Sequence, residues 1–423
     1  MAEGIARQLG RDGHYYRLSD YIREGLAEKG IKEPDTDQMQ DEGNRLRKEH
    51  GLQYLIDRCA KNLSEKERAG EFTADSVILI DGIRNTGEVR TLRTSPNFYL
   101  VSIHASKEVR KSRLVAPGKL FGSAAQFDRA DMRDLEEDVP WGQKVQVCND
   151  LADIIVNNED PKPEGTRART EFFNRFITDH VTVMRALRDG TAVPDRPPSM
   201  DETLMTMAFC ASLRSSCEKR KVGAVIAHVK TFPKISDRIK RKEDDKRYQV
   251  ISSGYNEVPL GTPPCRLSDD GGCYRDKLKK RISEQFQHCP RCGKDVPDEY
   301  VGDYDKLLTY QCDCGASFEA YLPGSGGEAG RLLDMCRALH AEENAILGLA
   351  GVSKNSGGEL VLYTTTFPCN LCANKIVEAG IRAVVYAEPY PMREAWDILE
   401  LAGVRVKKFE GVKSSAYFRI YAA

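Results

Sequence analysis

CRALHAEENAI (Cys336–Ile346) and TTTFPCNLCANKIVEAG (Thr364–Gly380) are the two halves of the stretch that decides how this chain is read. The first half carries His340-Ala341-Glu342, and Pro368-Cys369-Asn370-Leu371-Cys372 begins twenty-six residues beyond Glu342. One imidazole and two thiolates fill three corners of a zinc tetrahedron and leave the fourth to water, as a catalytic zinc site requires. Zinc can lower the pKa of such a water to about 7. Glu342, two residues from His340, is then placed to carry a proton. The local pattern agrees: HAEENAILGLAG predicts a helix that runs to Gly351, and LVLYTTT (Leu360–Thr366) has the β-branched and aromatic content of a strand. Pro368 predicts the opening of a second helix that stops at Gly380, with Cys369 and Cys372 on one face near its N-terminus, where the dipole favours thiolates.

Bulk composition narrows the classes. The 423 residues suit two to three domains. Lys+Arg 63 against Asp+Glu 64 gives a net charge of −1, so no global basic field points to nucleic acid. Thirteen cysteines, mostly clustered, fit metal binding in a reducing cytoplasm better than a disulfide framework. No signal peptide or long apolar run marks a membrane partner.

Residues 1–163 read as an α/β unit: strands are expected at GHYY, at Ser76–Ile80, in NFYLVSIHAS and at Ala152–Glu159, alternating with helices, which suggests a parallel, doubly wound sheet. The Asp81-Gly82-Ile83-Arg84 stretch after a strand, and the basic pair Arg110 and Arg113, resemble P-loop nucleotide and nucleoside kinases. The chain has no G-x-x-x-x-G-K-[ST] loop. AEGIARQLG looks like the helix that follows such a loop, so either the recorded start is internal or the loop is lost. Without it phosphoryl transfer is not expected, and a regulatory or sensing role is. Residues 164–199 are read as a connecting helix, with Phe172, Phe173, Phe176 and Ile177 on a packing face, followed by a proline-rich linker.

The second domain is placed at 200–423. Its opening resembles deoxycytidylate deaminases: a helix, Arg214-Ser215-Ser216-Cys217, basic residues leading to VGAVI, and the loop Gly254-Tyr255-Asn256-Glu257-Val258-Pro259-Leu260-Gly261. In the downstream stretch, H-x-E…P-C-x-x-C is the signature of the zinc nucleobase deaminases. By that resemblance Asn256 contacts the nucleotide, Arg214, Arg220 and Lys221 meet its phosphate, His340, Cys369 and Cys372 hold the catalytic zinc, and Glu342 is the catalytic acid–base. The alternatives are a turn-forming asparagine and a solvated charge run. Two inserts interrupt this domain. Lys230–Tyr248 is a mixed-charge hairpin. The second, about 265–330, carries Cys289-x-x-Cys292 and Cys312-x-Cys314, a zinc-ribbon pattern for a structural zinc, with Cys265, Cys273 and His288 as alternative ligands. The tail GVKSSAYFRIY is read as packing, with a cover over the substrate pocket as the alternative.

The expected fold class is therefore α/β: an N-terminal P-loop-kinase-like parallel sheet without its phosphate loop, plus a C-terminal cytidine-deaminase-like α/β/α sandwich with a zinc-ribbon insert. The expected activity is zinc-dependent hydrolytic deamination of deoxycytidine nucleotides, dCTP or dCMP. The pairing of a kinase-like domain with such a deaminase resembles the bacterial anti-phage deoxycytidine-nucleotide deaminases. That resemblance implies antiviral nucleotide depletion, a homo-oligomer, and restraint through the N-terminal domain by a regulatory RNA or another inhibitor. Housekeeping supply of dUMP and deamination of tRNA or single-stranded DNA share the zinc motif; the near-zero net charge and the Gly254–Gly261 loop speak against a polynucleotide. A pterin- or riboflavin-pathway deaminase and a non-catalytic scaffold stand further off.

Overall fold

The computed structural model describes residue 6 and residues 13–73, 76–116, 120–135, 137, 139–159, 197–231, 246–267, 272–277, 288–295, 308–320, 336–350, 358–389 and 393–421. The connecting helix and linker, and most of the charged insert, lie outside the described residues. The chain divides into two units: Met1–Thr203 with Phe409–Ala423, and Leu204–Lys408. No described helix is long and apolar enough to cross a membrane.

In unit 1, β1 (Gly13–Arg17) is followed by α1 (Leu18–Glu28), α2 (Thr36–His50), α3 (Tyr54–Arg68), β2 (Val77–Asp81) and α4 (Thr86–Leu92). Then come β3 (Val101–His104), α5 (Lys107–Leu114), α6 (Ala124–Leu135), α7 (Val145–Asp150) and β4 (Ile154–Asn157). The parallel pairing expected from alternating strands and helices is present: β1 lies parallel to β2 and β3 parallel to β4. The described strands form two small sheets, however, and not one doubly wound sheet. Leu18, Tyr21, Ile22, Leu26, Leu46, Leu55, Ile56 and Cys59 close a core between α1, α2 and α3.

α8 (Met200–Ser212) leads into unit 2, which comprises β5 (Gly223–Thr231), β6 (Lys246–Tyr255), β7 (Leu308–Gln311), β8 (Ser317–Ala320) and α9 (Ala341–Leu347). It continues with β9 (Glu359–Thr366), α10 (Asn370–Glu378), β10 (Ile381–Glu388), α11 (Arg393–Leu401) and β11 (Arg405–Lys408). Five strands make one sheet in the order β11-β10-β9-β5-β6. β9, β10 and β11 are parallel, and β5 runs antiparallel to both β9 and β6. The core gathers Ala224, Ile226 and Leu362 from the sheet, Ala341 and Ala345 from α9, and Ala373 and Ile376 from α10. Alanines here let the helices come close to the strands.

Two glycines set that distance. A Cβ on Gly254 would stand 2.4 Å from both Ala341 O and Ala345 N, so α9 lies against the bare backbone of β6. A Cβ on Gly223 would sit 1.9 Å from Ala208 O, which places α8 equally close on β5.

The chain then returns to unit 1. β12 (Gly411–Val412) pairs antiparallel with β4, and α12 (Ser414–Tyr421) packs Ala416 and Ile420 with Ile154 and Val156. The tail does pack, but onto the β3–β4 sheet, not within the deaminase-like domain to which residues 409–423 were assigned by sequence. Glu202, fully buried, is the clamp: its carboxylate accepts from Ser199 N (2.7 Å), Val412 N (2.9 Å) and Tyr421 Oη (3.1 Å).

Gly254→Ala is expected to cost unit 2 about 1–3 kcal/mol, because backbone must move to admit the methyl; urea unfolding followed by tryptophan fluorescence reads this, and an unchanged midpoint would refute the close-approach account. Glu42 gives a pH test. It accepts from Arg45 Nε (2.9 Å) and Nη2 (2.7 Å) and from Lys29 Nζ (2.5 Å), and Arg45 above all, then Lys29, holds its carboxyl at about 2, against an ordinary value of 4.5. A depressed acid stabilises the fold above its ordinary pKa and loses that contribution as protons bind. Wild-type stability should therefore fall between pH 4.5 and pH 2 more steeply than that of Glu42→Gln, and parallel acid limbs would sink the assignment.

Candidate active site and metal centre

His340 is the N-cap of α9 and Cys369 the N-cap of α10, with Cys372 in the first turn of that helix. The second helix thus begins at Asn370, two residues after Pro368. This puts both sulfurs at a helix N-terminus, where unpaired N–H groups and the dipole favour thiolate. The site stands at the C-terminal end of β9, between its parallel neighbour β10 and its antiparallel neighbour β5, the kind of switch point where open sheets bind ligands.

The local folding is anchored on every side. Leu339 and Glu257 exchange backbone hydrogen bonds (3.0 and 3.3 Å) just before His340. Asn344 Nδ2 donates to Tyr255 O (2.7 Å), and Ser252 Oγ donates to Ala345 O (2.6 Å), fixing α9 along β6. Glu343 accepts from His340 N (3.3 Å) and from Lys375 of α10 (2.6 Å), so one carboxylate holds the two ligand-bearing helices together.

His340 Nδ1 lies 3.3 Å from both Cys369 Sγ and Cys372 Sγ, and the three donor atoms fall within 4.8 Å of one another. Nitrogen and sulfur ligands of one zinc tetrahedron stand about 3.5 Å apart, given Zn–N near 2.0 Å and Zn–S near 2.3 Å. The donor set therefore fits zinc. The hydrogen bond from Cys372, aided by His340, holds the Cys369 thiol at about 4, whereas the same bond and burial push Cys372 far above the ordinary thiol value. A cation bound there takes both sulfurs as thiolates, so its binding releases protons.

Glu342 is buried, and desolvation raises its pKa. Its two oxygens face different ways: Oε2 lies 3.7 Å from Cys372 Sγ, on the metal side, and Oε1 lies 3.3 Å from Thr364 Oγ1. Thr364, fully buried on β9, has a single O–H, which it shares between Glu342 Oε1 and Thr366 O (2.9 Å). Among the described residues, Thr366 Oγ1 is buried without a hydrogen-bond partner at the same strand end.

The other sequence candidates are placed as follows. Asn256 spends its amide on the backbone of the preceding loop: Nδ2 donates to Arg220 O (2.9 Å), and Oδ1 accepts from Val222 N (2.7 Å). Arg220 pairs with Glu388 at the end of β10 (2.9 Å), while Arg214 and Lys221 are exposed. In unit 1, Asp81 accepts from Tyr15 Oη (2.8 Å), and Arg110 is paired with the buried Asp131. Cys289, Cys292, Cys312 and Cys314 form a second group of close donors. His288 is bound to Asp295 (2.6 Å), and Cys265 and Cys273 stand outside that group. Sequence reasoning missed Thr364 and Glu343; the first looks like ordinary strand composition and the second like a surface helix charge, and neither carries a spacing signal.

A His-Cys-Cys donor set on two helix N-termini, with a buried carboxylate beside it, defines a zinc-dependent hydrolase acting on a C–N bond. The sequence model "Cytidine and deoxycytidylate deaminase zinc-binding region" matches residues 244–388. The chain is 27% identical to deoxycytidylate deaminase of Saccharomyces cerevisiae over 343 residues, 80% of this chain and 82% of the yeast protein. It is 30% identical to deoxycytidylate deaminase of Enterobacteria phage T4 over 207 residues, 48% of this chain and 86% of the phage protein. A solved structure of dCMP deaminase from the cyanophage S-TIM5, in complex with dCMP and dUMP, aligns with 51% of this chain and 99% of its own, at 22% identity and a TM-score of 0.27. The chain belongs to the cytidine and deoxycytidylate deaminase family.

Thr364→Val removes the hydroxyl that holds Glu342 Oε1 and keeps the shape of the side chain. A hydrogen bond of about 1.5 kcal/mol corresponds to roughly a tenfold fall in kcat. KM and zinc content should stay unchanged, and Thr364→Ser should restore the rate; an equal loss in the serine variant would point to packing instead.

Proposed function

We propose that this enzyme deaminates dCMP, cleaving the C4–N4 bond with water to give dUMP and ammonia. The observation that carries the reading is the buried carboxylate of Glu342 set against the three metal donors, in a chain belonging to this family. His340, Cys369 and Cys372 would hold the zinc, which when bound would lower the pKa of a water to about 7 and so make a nucleophile available at physiological pH. Glu342 does the proton work: Oε1 lies beside Thr364, and Oε2 takes a proton from the attacking water and passes it to the ring nitrogen of cytosine, then takes a second from the hydroxyl added at C4 and gives it to the amine, which departs as ammonia. Burial within unit 2 keeps competing water from this carboxylate. Glu343 and Lys375 keep the two helices, and thus the ligands, in register.

Nucleotide recognition is assigned to the Gly254–Gly261 loop and to the Arg214–Lys221 segment. Asn256 retains one N–H and one lone pair beyond the two bonds it makes to Arg220 O and Val222 N, so it can still reach a sugar hydroxyl while tying the two segments together. Arg214 and Lys221, exposed, are the phosphate contacts this reading favours; Arg220 is already engaged by Glu388.

Supply of dUMP and antiviral depletion of dCTP and dCMP are both served by this chemistry. The second rests on a two-domain architecture with a homo-oligomer and an RNA or other inhibitor acting through unit 1. The yeast match, at 343 residues, is too long to lie within Leu204–Lys408 alone, so a two-unit chain is not peculiar to the antiviral reading. Supply of dUMP is accordingly the reading we adopt, in the cytoplasm.

Ammonia release by the full-length protein should be measured with dCMP, dCTP, cytidine and a short single-stranded DNA. The expected result is turnover of dCMP, reduced about 10²–10⁴-fold by Glu342→Gln. Turnover of DNA alone would replace this reading with polynucleotide editing, and turnover of dCTP in preference to dCMP would favour the depletion reading.

A further inference from the structure

We propose that Cys289, Cys292, Cys312 and Cys314 hold a second zinc ion, in a closed all-thiolate site that is loaded independently of the catalytic one. Cys289 Sγ lies 3.5 Å from Cys314 Sγ, Cys292 Sγ lies 3.5 Å from Cys312 Sγ, and all four sulfurs fall within 4.8 Å of one another. Sulfurs on one zinc tetrahedron stand about 3.8 Å apart, given Zn–S near 2.3 Å. The four are positioned for one ion.

The backbone is built alike around the two cysteine pairs. In the first turn Gly293 N donates to Cys289 O (2.9 Å) and Cys289 N to Lys294 O (2.8 Å), with Gly293 at φ 73°. The second repeats the plan: Gly315 N donates to Cys312 O (2.8 Å) and Cys312 N to Ala316 O (2.9 Å), with Gly315 at φ 80°.

Among the described residues the module has little else to hold it. Its hydrophobic cluster consists of Cys289 and Cys312, with Cys314 and Ala316 packed against them, so among the described residues no aliphatic core joins the two turns. A two-stranded hairpin such as β7–β8 is marginal on its own, and small modules of this kind draw their stability from metal or disulfides. Oxygen and nitrogen donors nearby are already engaged, His288 by Asp295 and Asp313 by Lys294. Four soft sulfurs select zinc over magnesium or calcium. With every corner taken by protein, the site has no place for a substrate water and is structural.

Zinc should be counted by mass spectrometry of metals in the full-length protein. Wild type is expected to carry two per chain, and both Cys312→Ser/Cys314→Ser and His340→Ala/Cys369→Ser/Cys372→Ser to carry one. The second variant should also take up one Co²⁺ with an intense thiolate-to-cobalt charge-transfer band. That variant tests the proposal even if the first fails to fold, and it does so without reference to any substrate. A single zinc in wild type, a metal-free second variant, or intact-mass evidence for two disulfides among these cysteines would overturn the proposal.

Discussion

The structure of unit 2 depends on how closely α9 lies on β6. With no side chain at Gly254 and only methyls at Ala341 and Ala345, the helix N-terminus comes down onto the sheet, and His340 arrives within 3.3 Å of both cysteine sulfurs. A longer helix-to-sheet distance would leave the donors spread too widely for one ion. It would also lift Glu342 away from Thr364. Packing therefore sets the coordination chemistry here, and the strand glycine is as much a part of the metal site as the ligands are.

The sites were more legible in the sequence than the architecture. Metal ligation demands particular residue types at particular offsets, so the coming together of His340, Cys369 and Cys372, and of the four cysteines, could be expected from spacing. The strand and helices around the catalytic centre were legible too, because β-branched runs and cap residues mark them locally; the helix carrying the cysteines was misplaced by two residues because Cys369 itself caps it. What could not be read depends on long-range contact. Glu202 looks like an ordinary acidic residue in the first turn of a helix, yet it is fully buried and accepts three hydrogen bonds, two of them from residues more than two hundred positions away. Asn256 is another case: its side chain ties the end of β6 to backbone groups of Arg220 and Val222, in the segment before β5, a role that no spacing signals.

Unit 1 shows the same limit from another side. Its strands were expected, and their parallel pairing follows from alternation with helices, but the division into two small sheets does not. Buried charge organises this unit as much as apolar contact does. Arg47 and Glu88 form an ion pair with both side chains almost wholly buried, and Glu88 also accepts from the backbone N–H groups of Arg84 and Asn85. The Asp81–Asn85 loop, which in sequence resembles part of a nucleotide site, is held in place by that carboxylate.

The return of β12 and α12 to unit 1 has a consequence for the order in which the protein takes shape on the ribosome. Domains fold as units, and the N-terminal one normally finishes first. Here unit 1 must wait: β4 lacks its antiparallel neighbour, and Glu202 lacks Val412 and Tyr421, until residues 411–421 have been made. Leu204–Lys408 has all its strands and ligands in hand before that moment. The catalytic unit therefore matures before unit 1 is finished, and a stop codon falling between Lys408 and Gly411 would damage the earlier-made unit and spare the later one.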